Sequence, residues 1–405
     1  MLRVLCGRSP ALSSHPVGAP VPFDAPVYVT RPLLPSLSSL VGHLEAIWTT
    51  QQLTNIGAQH ERLEAALRAH LGVRQLSLFT NGTVALITAI RALGLGGEVL
   101  TTPFTFPATP HALSWSGITP VFCDVDPVTL NLDPAGIDRA VTDRTSGILA
   151  VHVYGNPCDV VGLQRAADRH RLKIIYDAAH AFGTRVRDAG IGTFGDVSMF
   201  SFHATKLFHT AEGGALACSD PFLKARIDDL RNFGIHGPDA VRAIGLNGKM
   251  SELHAALGLC VLEGIAGELA QRRRLLERYR ERFARVDGVQ CLQAVNGAEN
   301  SCQYSVIRVD EDAFGCSRDV LHVELRAYNV FTRKYFYPLC ADYDCYRRLP
   351  SATAANLPVA TRAVREVLCL PLYGGLTESD VDRICDMVVA VREGVRRNVA
   401  AGAAE

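Results

Sequence analysis

Apolar residues recur along this chain in two rhythms. Short, nearly continuous apolar runs at Leu76–Phe79, Glu98–Thr101, Val121–Cys123, Ile148–Val153, Lys173–Tyr176, Val197–Phe202 and Gly214–Cys218 predict strands. Spacings of three and four at Arg62–Leu71, Thr83–Leu93 and Val161–Arg171 predict helices between them. Strand–helix alternation of this kind predicts an α/β domain with a mostly parallel sheet. A long helical pattern then runs from Met250 to Phe283, with Gly264–Gly267 as a point where it could break. Short strands at Val289–Leu292 and Tyr304–Val309, a helix over Arg318–Tyr328 and a last helix from Glu378 predict a second, smaller α/β domain.

The expected division is therefore an extension over 1–26, a large domain over 27–270 and a small C-terminal domain over 271–405. Residues 1–23 hold Arg3 and Arg8, several Ser and Pro, and no acid before Asp24. They read either as a transit peptide or as a disordered extension, and the missing amphipathic pattern favours the extension.

Composition narrows the functional classes. Lys plus Arg number 41, as do Asp plus Glu, so bulk charge recruits neither nucleic acid nor an anionic membrane. No apolar run looks long enough for a membrane span. The 12 cysteines are scattered and contain no Cys-x-x-Cys. Several sit in apolar strings such as Val121–Cys123, Ala215–Cys218 and Leu257–Cys260, where a thiol behaves as a small hydrophobe. That usage points to a reducing, cytoplasmic setting. Lysine occurs only at 173, 206, 224, 249 and 334, so the candidates for amine chemistry are few.

Four segments carry candidate chemistry. Asn81-Gly82-Thr83 follows a strand and opens a helix, where free N–H groups and the helix dipole favour a phosphate. A plain turn is the alternative. Pro103–Thr109 follows another strand and offers an aromatic ring either to the core or to a flat ligand. Ile174–His180 places Asp177 at the carboxyl end of a strand, the edge at which open α/β sheets bind ligands. Asp177 there is either a helix cap or a partner for a protonated ring nitrogen, and His180 either a satisfied polar residue or a ring contact. Phe200–Lys206 ends a buried strand with a lysine, and a desolvated lysine is the usual Schiff-base former. Lys173 begins its strand, at the wrong edge, and Lys224 lies on a mixed helix expected to be exposed. Lys249 and Lys334 remain as possible anion contacts. Gly190–Gly195 matches the dinucleotide fingerprint letter for letter, but it precedes a strand and opens no helix, so it is set aside.

The order of these segments, with Glu212-Gly213-Gly214 and Asn247–Glu252 after them, resembles the DegT/StrS nucleotide-sugar aminotransferases. The similarity runs from about residue 27 to about residue 390. Ser201–Lys206 followed by Glu-Gly-Gly is most similar to the members that aminate carbon 4 of dTDP-4-keto-6-deoxyglucose.

The resemblance implies a fold-type-I α/β transferase that uses pyridoxal 5'-phosphate and moves an amino group from L-glutamate to a nucleotide-linked keto sugar. It implies Lys206 as the Schiff-base lysine, Asp177 on the ring nitrogen, His180 at the ring hydroxyl and Phe106 stacked on the ring. Gly82, Thr83 and Ser201 would hold the phosphate, helped by Asn247 from the second subunit of a homodimer with shared active sites. Lys249 stands where the family usually has Arg, Ala58 where it has Pro, and His180 where it has Gln. Two rivals share the fold: a sugar dehydratase, which replaces the Schiff-base lysine by His, and a non-catalytic regulatory protein that keeps the cofactor.

Overall fold

The computed structural model describes residues 20–402, with side chains through 395. Its centre is a seven-stranded sheet. In spatial order the strands are Gln75–Phe79, Gly214–Cys218, Val197–Ser201, Lys173–Asp177, Thr145–Val151, Glu98–Thr101 and Thr119–Phe122. Gly214–Cys218 runs antiparallel to both neighbours, and every other pair is parallel.

The continuous apolar runs are explained by burial on both faces. Leu100, Ile148, Ile174, Phe200 and Ala215 face one apolar layer, with helices Ala58–Leu71 and Val160–His170. The residues adjacent to them in sequence, Val99, Leu149, Ile175, Met199 and Leu216, face the other layer, with helices Gly82–Leu93 and Pro221–Arg231. This strict alternation is the period-two geometry of a strand.

The small unit is an antiparallel sheet ordered Val289–Cys291, Ser305–Val309, Val367–Leu370. Helix Glu252–Phe283 joins the two parts and passes position 270 without interruption. Gly264 and Gly267 do not break it: a Cβ on Gly267 would meet nothing within 4 Å, so no close neighbour forces a bend there. Part of this helix is long and apolar enough to cross a membrane by those two criteria alone, which the sequence reading did not register. It packs instead against helices Leu37–Thr50, Ala58–Leu71 and Glu378–Gly402, and it carries a buried Arg272–Glu268 ion pair at 2.6 Å. The helix expected over Arg318–Tyr328 ends at Glu324 and tightens into a 3₁₀ turn over Leu325–Tyr328.

The N-terminal segment needs a larger correction. From Pro20 onward the chain is placed, and it belongs to the small unit. Val27–Tyr28 pairs in parallel with Val330–Phe331. Phe23 is buried, its N–H donates to Tyr328 O at 3.1 Å, and its own carbonyl accepts from Asn329 Nδ2 at 2.6 Å. Residues 20–26 are therefore not part of an extension, and residues 1–19 lie outside the described residues. Phe23 and Val27 enter the apolar cluster of the small unit. A short segment with two apolar anchors gives no periodic signal, which hid this contact from the pattern.

A third apolar cluster seals the small unit onto the carboxyl edge of the large sheet. Phe104, Val151 and Tyr154 meet Tyr304, Phe336 and Leu339 there. The functional cavity lies beside this seam.

Candidate active site

Two strands end side by side in polar residues, Asp177 on one and Ser201 on its neighbour. After Ser201 the chain makes a turn in which Lys206 N donates to His203 O at 2.9 Å, and this returns Lys206 toward the sheet edge. Asp177, Ser201 and Lys206 share a cavity of about 260 Å³ with Gly82, Thr83 and His180. Phe106 lines its mouth and is 57% exposed, whereas Phe104 is fully buried in the seam. The aromatic left undecided by the sequence is thus Phe106 for the cavity and Phe104 for the core.

The phosphate turn is built by three adjacent strands. Gly214 is the register partner of both Phe79 and Ser201. A Cβ on Gly214 would lie 2.7 Å from Asn81 C and from Gly82 N, so only glycine lets the turn sit against this strand. A Cβ on Gly82 would lie 3.2 Å from Ser201 Cβ, which fixes Ser201 beside the turn. Asn81 caps the helix, its Oδ1 accepting from Val84 N at 2.8 Å. Gly82 and Thr83 therefore supply the first N–H groups of a capped helix whose dipole favours an anion.

Asp177 is buried. Desolvation raises its pKa, while the Thr109 hydroxyl, the Ala179 N–H and the charge of Lys206 pull it back. Thr109 Oγ1 donates to Asp177 Oδ2 at 2.8 Å, and Ala179 N donates to Oδ1 at 3.0 Å. Lys206 is half-buried, and loss of water lowers its pKa to about 8, against the opposing charge of Asp177. His180 is buried too, and burial with the Lys206 charge holds it well below the usual histidine range, hence neutral. Its ring stacks on Phe336 at 5.6 Å and meets the edge of Tyr304 at 5.2 Å, leaving Nδ1 buried with no partner. A buried polar atom costs free energy unless something bonds it, so Nδ1 points to a ligand atom. A phosphorylated heteroaromatic ring suits this set: N–H groups for its phosphate, an acid for its nitrogen and an aromatic at the mouth.

Asn247 does not line the cavity of its own chain. It is exposed, and its Oδ1 accepts from Lys249 Nζ at 2.9 Å. Its segment nevertheless abuts the phosphate turn from outside, since Thr80 N donates to Gly248 O at 2.8 Å. Lys249 also donates to Asn232 Oδ1 at 2.7 Å and lies over Phe233. Glu252, in the same motif, serves the fold: its carboxylate accepts the N–H groups of Gly57, Gln59 and His60 at the start of helix Ala58–Leu71. The remaining lysines are engaged in ion pairs. Lys173 meets Asp196 at 2.9 Å, and Lys334 meets Asp319 at 2.8 Å. Lys224 is not on an exposed face as expected. It is largely buried between Glu64 at 3.2 Å and Asp228 at 2.6 Å, because its helix packs against the edge of the sheet. The Gly190–Gly195 segment forms a short 3₁₀ turn whose glycines pack closely against Leu71 O, Phe200 and Tyr176.

Sequence reading missed several residues of the site. Thr105 and Thr109 form a hydroxyl chain at 2.8 Å that ends on Asp177. Their spacing of four around a helix start was the available signal. Tyr304, Tyr335 and Phe336 come from the small unit, and only the aromatic run 335–337 hinted at them. His203 and Glu212 line the mouth, 3.7 Å apart.

Lys206 decides what such a cavity does: a readily neutralised amine beside a buried acid and a phosphate cradle is the equipment of a Schiff-base enzyme that moves amino groups. The chain belongs to the DegT/DnrJ/EryC1/StrS aminotransferase family, whose sequence profile matches residues 38–389. It is 42% identical, over 91% of its length and all of the relative's, to a dTDP-4-amino-4,6-dideoxy-D-glucose transaminase of Shigella dysenteriae. Among solved structures it resembles DesI, crystallised in the presence of its TDP-sugar product, with TM-score 0.89 and 38% identity over 96% of this chain and 98% of that one. It also resembles DesV of S. venezuelae, solved in complex with a ketimine intermediate, with TM-score 0.80 and 29% identity over 88% and 94%.

Proposed function

We propose that this aminotransferase holds pyridoxal 5'-phosphate on Lys206 and transfers an amino group from L-glutamate to carbon 4 of dTDP-4-keto-6-deoxyglucose. The product is dTDP-4-amino-4,6-dideoxyglucose. The observation that carries the reading is the placement of Lys206, with its lowered pKa of about 8, in one cavity with the buried Asp177. The choice of sugar leans on the likeness to the Shigella transaminase.

When bound, the cofactor supplies an aldehyde carbon that exchanges amines and a ring that accepts electrons. Gly82, Thr83 and Ser201 anchor its phosphate. The Asp177 carboxylate holds a proton on the ring nitrogen, and its low-dielectric surroundings strengthen that pair. Phe106, at the cavity mouth, would cover the ring, and the buried, unbonded Nδ1 of His180 would serve its hydroxyl. Lys206 Nζ takes the proton from the α-carbon of the donor and later returns one to the sugar carbon, a general base and acid in turn.

The working unit in this proposal is a homodimer in the cytoplasm, and Asn247 of a second copy completes the phosphate site. Exposed apolar side chains at Leu37, Trp48, Phe233, Ile244 and Leu253 offer surface for the second copy. The 11 described cysteines are free thiols, which suits a reducing compartment.

The test is product analysis. Incubation with L-glutamate and dTDP-4-keto-6-deoxyglucose is expected to give 2-oxoglutarate and a sugar whose NMR spectrum places the amine on carbon 4. An amine on carbon 3, or turnover only with a different nucleotide sugar, overturns the substrate assignment.

A further inference from the structure

Lys206 reaches the cavity from a turn, so the course of its side chain depends on what holds that turn. Peptide units are planar, and two torsions alone set how the units on either side of a residue meet at its Cα. Both peptide units that flank Lys206 are pinned by one side chain. Gln303 Oε1 accepts from Leu207 N at 2.8 Å, and Gln303 Nε2 donates to Thr205 O at 3.0 Å. The first bond holds the peptide after Lys206, and the second holds the peptide before it. A carboxamide carries an acceptor and a donor side by side, and here each meets the complementary backbone group. Gln303 is buried and is not among the residues that line the catalytic cavity, so it acts on the turn and not on a substrate.

Gln303 belongs to a short strap of the small unit, residues 300–304, whose other members also end on the catalytic edge. The Ser301 hydroxyl donates to the carbonyl of His180, and Ser301 N donates to Thr184 Oγ1 at 3.1 Å. Tyr304 meets the edge of the His180 ring. From behind, Arg272 Nη1 donates to Cys302 O at 3.4 Å, and Arg272 is itself fixed by Glu268. Cys302 lies in the left-handed region at φ 52°, which is uncommon for a residue with a Cβ, and Asn300 Oδ1 accepts its N–H at 2.8 Å. Such a conformation persists where the surroundings over-determine it, as the bonds to both sides of this strap do.

We infer that Gln303 is a positioning residue for Lys206: by clamping the peptides on both sides, it keeps Nζ on one course into the cavity through both halves of the reaction. The inference rests on the proposed role of Lys206 and extends it to a residue of the small unit. Docking of the small unit against the sheet edge is then a requirement of the chemistry as well as of the fold.

The experiment compares full-length wild type, Gln303→Met and Gln303→Glu. Met has nearly the length of Gln and makes neither bond, whereas Glu keeps the acceptor for Leu207 N and loses the donor to Thr205 O. Three quantities are measured: the rate of amino transfer from L-glutamate by the cofactor-loaded protein, the rate at which cofactor-free protein captures pyridoxal phosphate, and the Kd of pyridoxamine phosphate, which makes no bond to Lys206. Gln303→Met is expected to slow both rates roughly ten- to a hundredfold, since misplacing a reacting group by about 1 Å costs up to about a hundredfold. The Kd of pyridoxamine phosphate should stay within twofold of wild type. Gln303→Glu should lose less. The inference is overturned if Gln303→Met captures the cofactor within twofold of the wild-type rate. It is equally overturned if the affinity for pyridoxamine phosphate falls as far as the capture rate, which would make Gln303 a prop of the whole cavity. Should Gln303→Met fail to fold, Gln303→Glu decides by the same two criteria. A Lys206→Ala control that captures the cofactor as wild type does would sink the Lys206 reading and the clamp with it, whereas a silent Gln303→Met beside a dead Lys206→Ala sinks the clamp alone.

Discussion

Thr109 Oγ1 donates to Asp177 Oδ2 at 2.8 Å, and the hydroxyl of Thr105 lies 2.8 Å from that of Thr109. This short chain holds a buried carboxylate in place and offsets part of the desolvation that raises its pKa. Removing the donor leaves the charged form of Asp177 less favoured. Thr109→Val is expected to lower kcat/KM by roughly ten- to a hundredfold, since a hydrogen bond to a charged group contributes about 1.5–3 kcal/mol. Thr109→Ser, which keeps the hydroxyl, should recover most of the loss. Steady-state kinetics on the two variants checks this. Equal damage from both would mean that the fit of the whole threonine side chain, not the hydroxyl alone, matters.

The Lys206 amine must be neutral to attack the cofactor aldehyde. Burial lowers its pKa to about 8, so the neutral fraction grows as pH rises through about 8. The rate at which cofactor-free protein captures pyridoxal phosphate is expected to follow that rise. Asp177 acts in the opposite sense and holds the Lys206 pKa up. Asp177→Asn should therefore shift the midpoint to lower pH. Stopped-flow absorbance across a pH series measures both, and a midpoint near the ordinary lysine value would contradict the desolvation argument.

Gly214 is where the phosphate turn meets the sheet. A Cβ there would lie 2.7 Å from two backbone atoms of that turn, which flexible side-chain movement cannot relieve. Gly214→Ala is expected to weaken pyridoxal-phosphate binding at least tenfold and to destabilise the fold by about 1–3 kcal/mol. Equilibrium dialysis and urea unfolding report the two effects separately.

Glu252 accepts three backbone N–H groups at the start of helix Ala58–Leu71, at 3.0, 2.7 and 3.2 Å. Glu252→Gln replaces one accepting oxygen by an NH₂ group facing these donors. A loss of about 1–3 kcal/mol in unfolding free energy is expected. Unchanged stability would show that a neutral amide serves these donors as well as the carboxylate does.

The large sheet was legible because strands buried on both faces read as unbroken apolar runs, and the helices between them keep a three–four spacing. Asp177, Ser201 and Lys206 were legible because each follows or ends such a run. What the pattern hid is long-range. Tyr335 and Phe336 reach the cavity only because the small unit folds back onto the sheet edge. Phe23 and Val27 belong to that unit through a two-residue strand too short to show periodicity. Lys224 looked exposed because its helix is rich in charge, but those charges are partners in a half-buried network. Asn247 presents the opposite case: its segment touches the phosphate turn from outside, and the role proposed for it belongs to a second copy of the chain. Mixed dimers of Lys206→Ala and Asn247→Ala chains would carry that question to experiment.

The most direct test of the central claim is the visible spectrum of the protein with pyridoxal phosphate, recorded before and after L-glutamate and again after dTDP-4-keto-6-deoxyglucose. The account predicts a band from cofactor bound to Lys206, its conversion to the amine form by glutamate, and its return with the keto sugar. Absence of the first band in wild type, or its persistence in Lys206→Ala, would contradict the assignment of Lys206 on which the whole account depends.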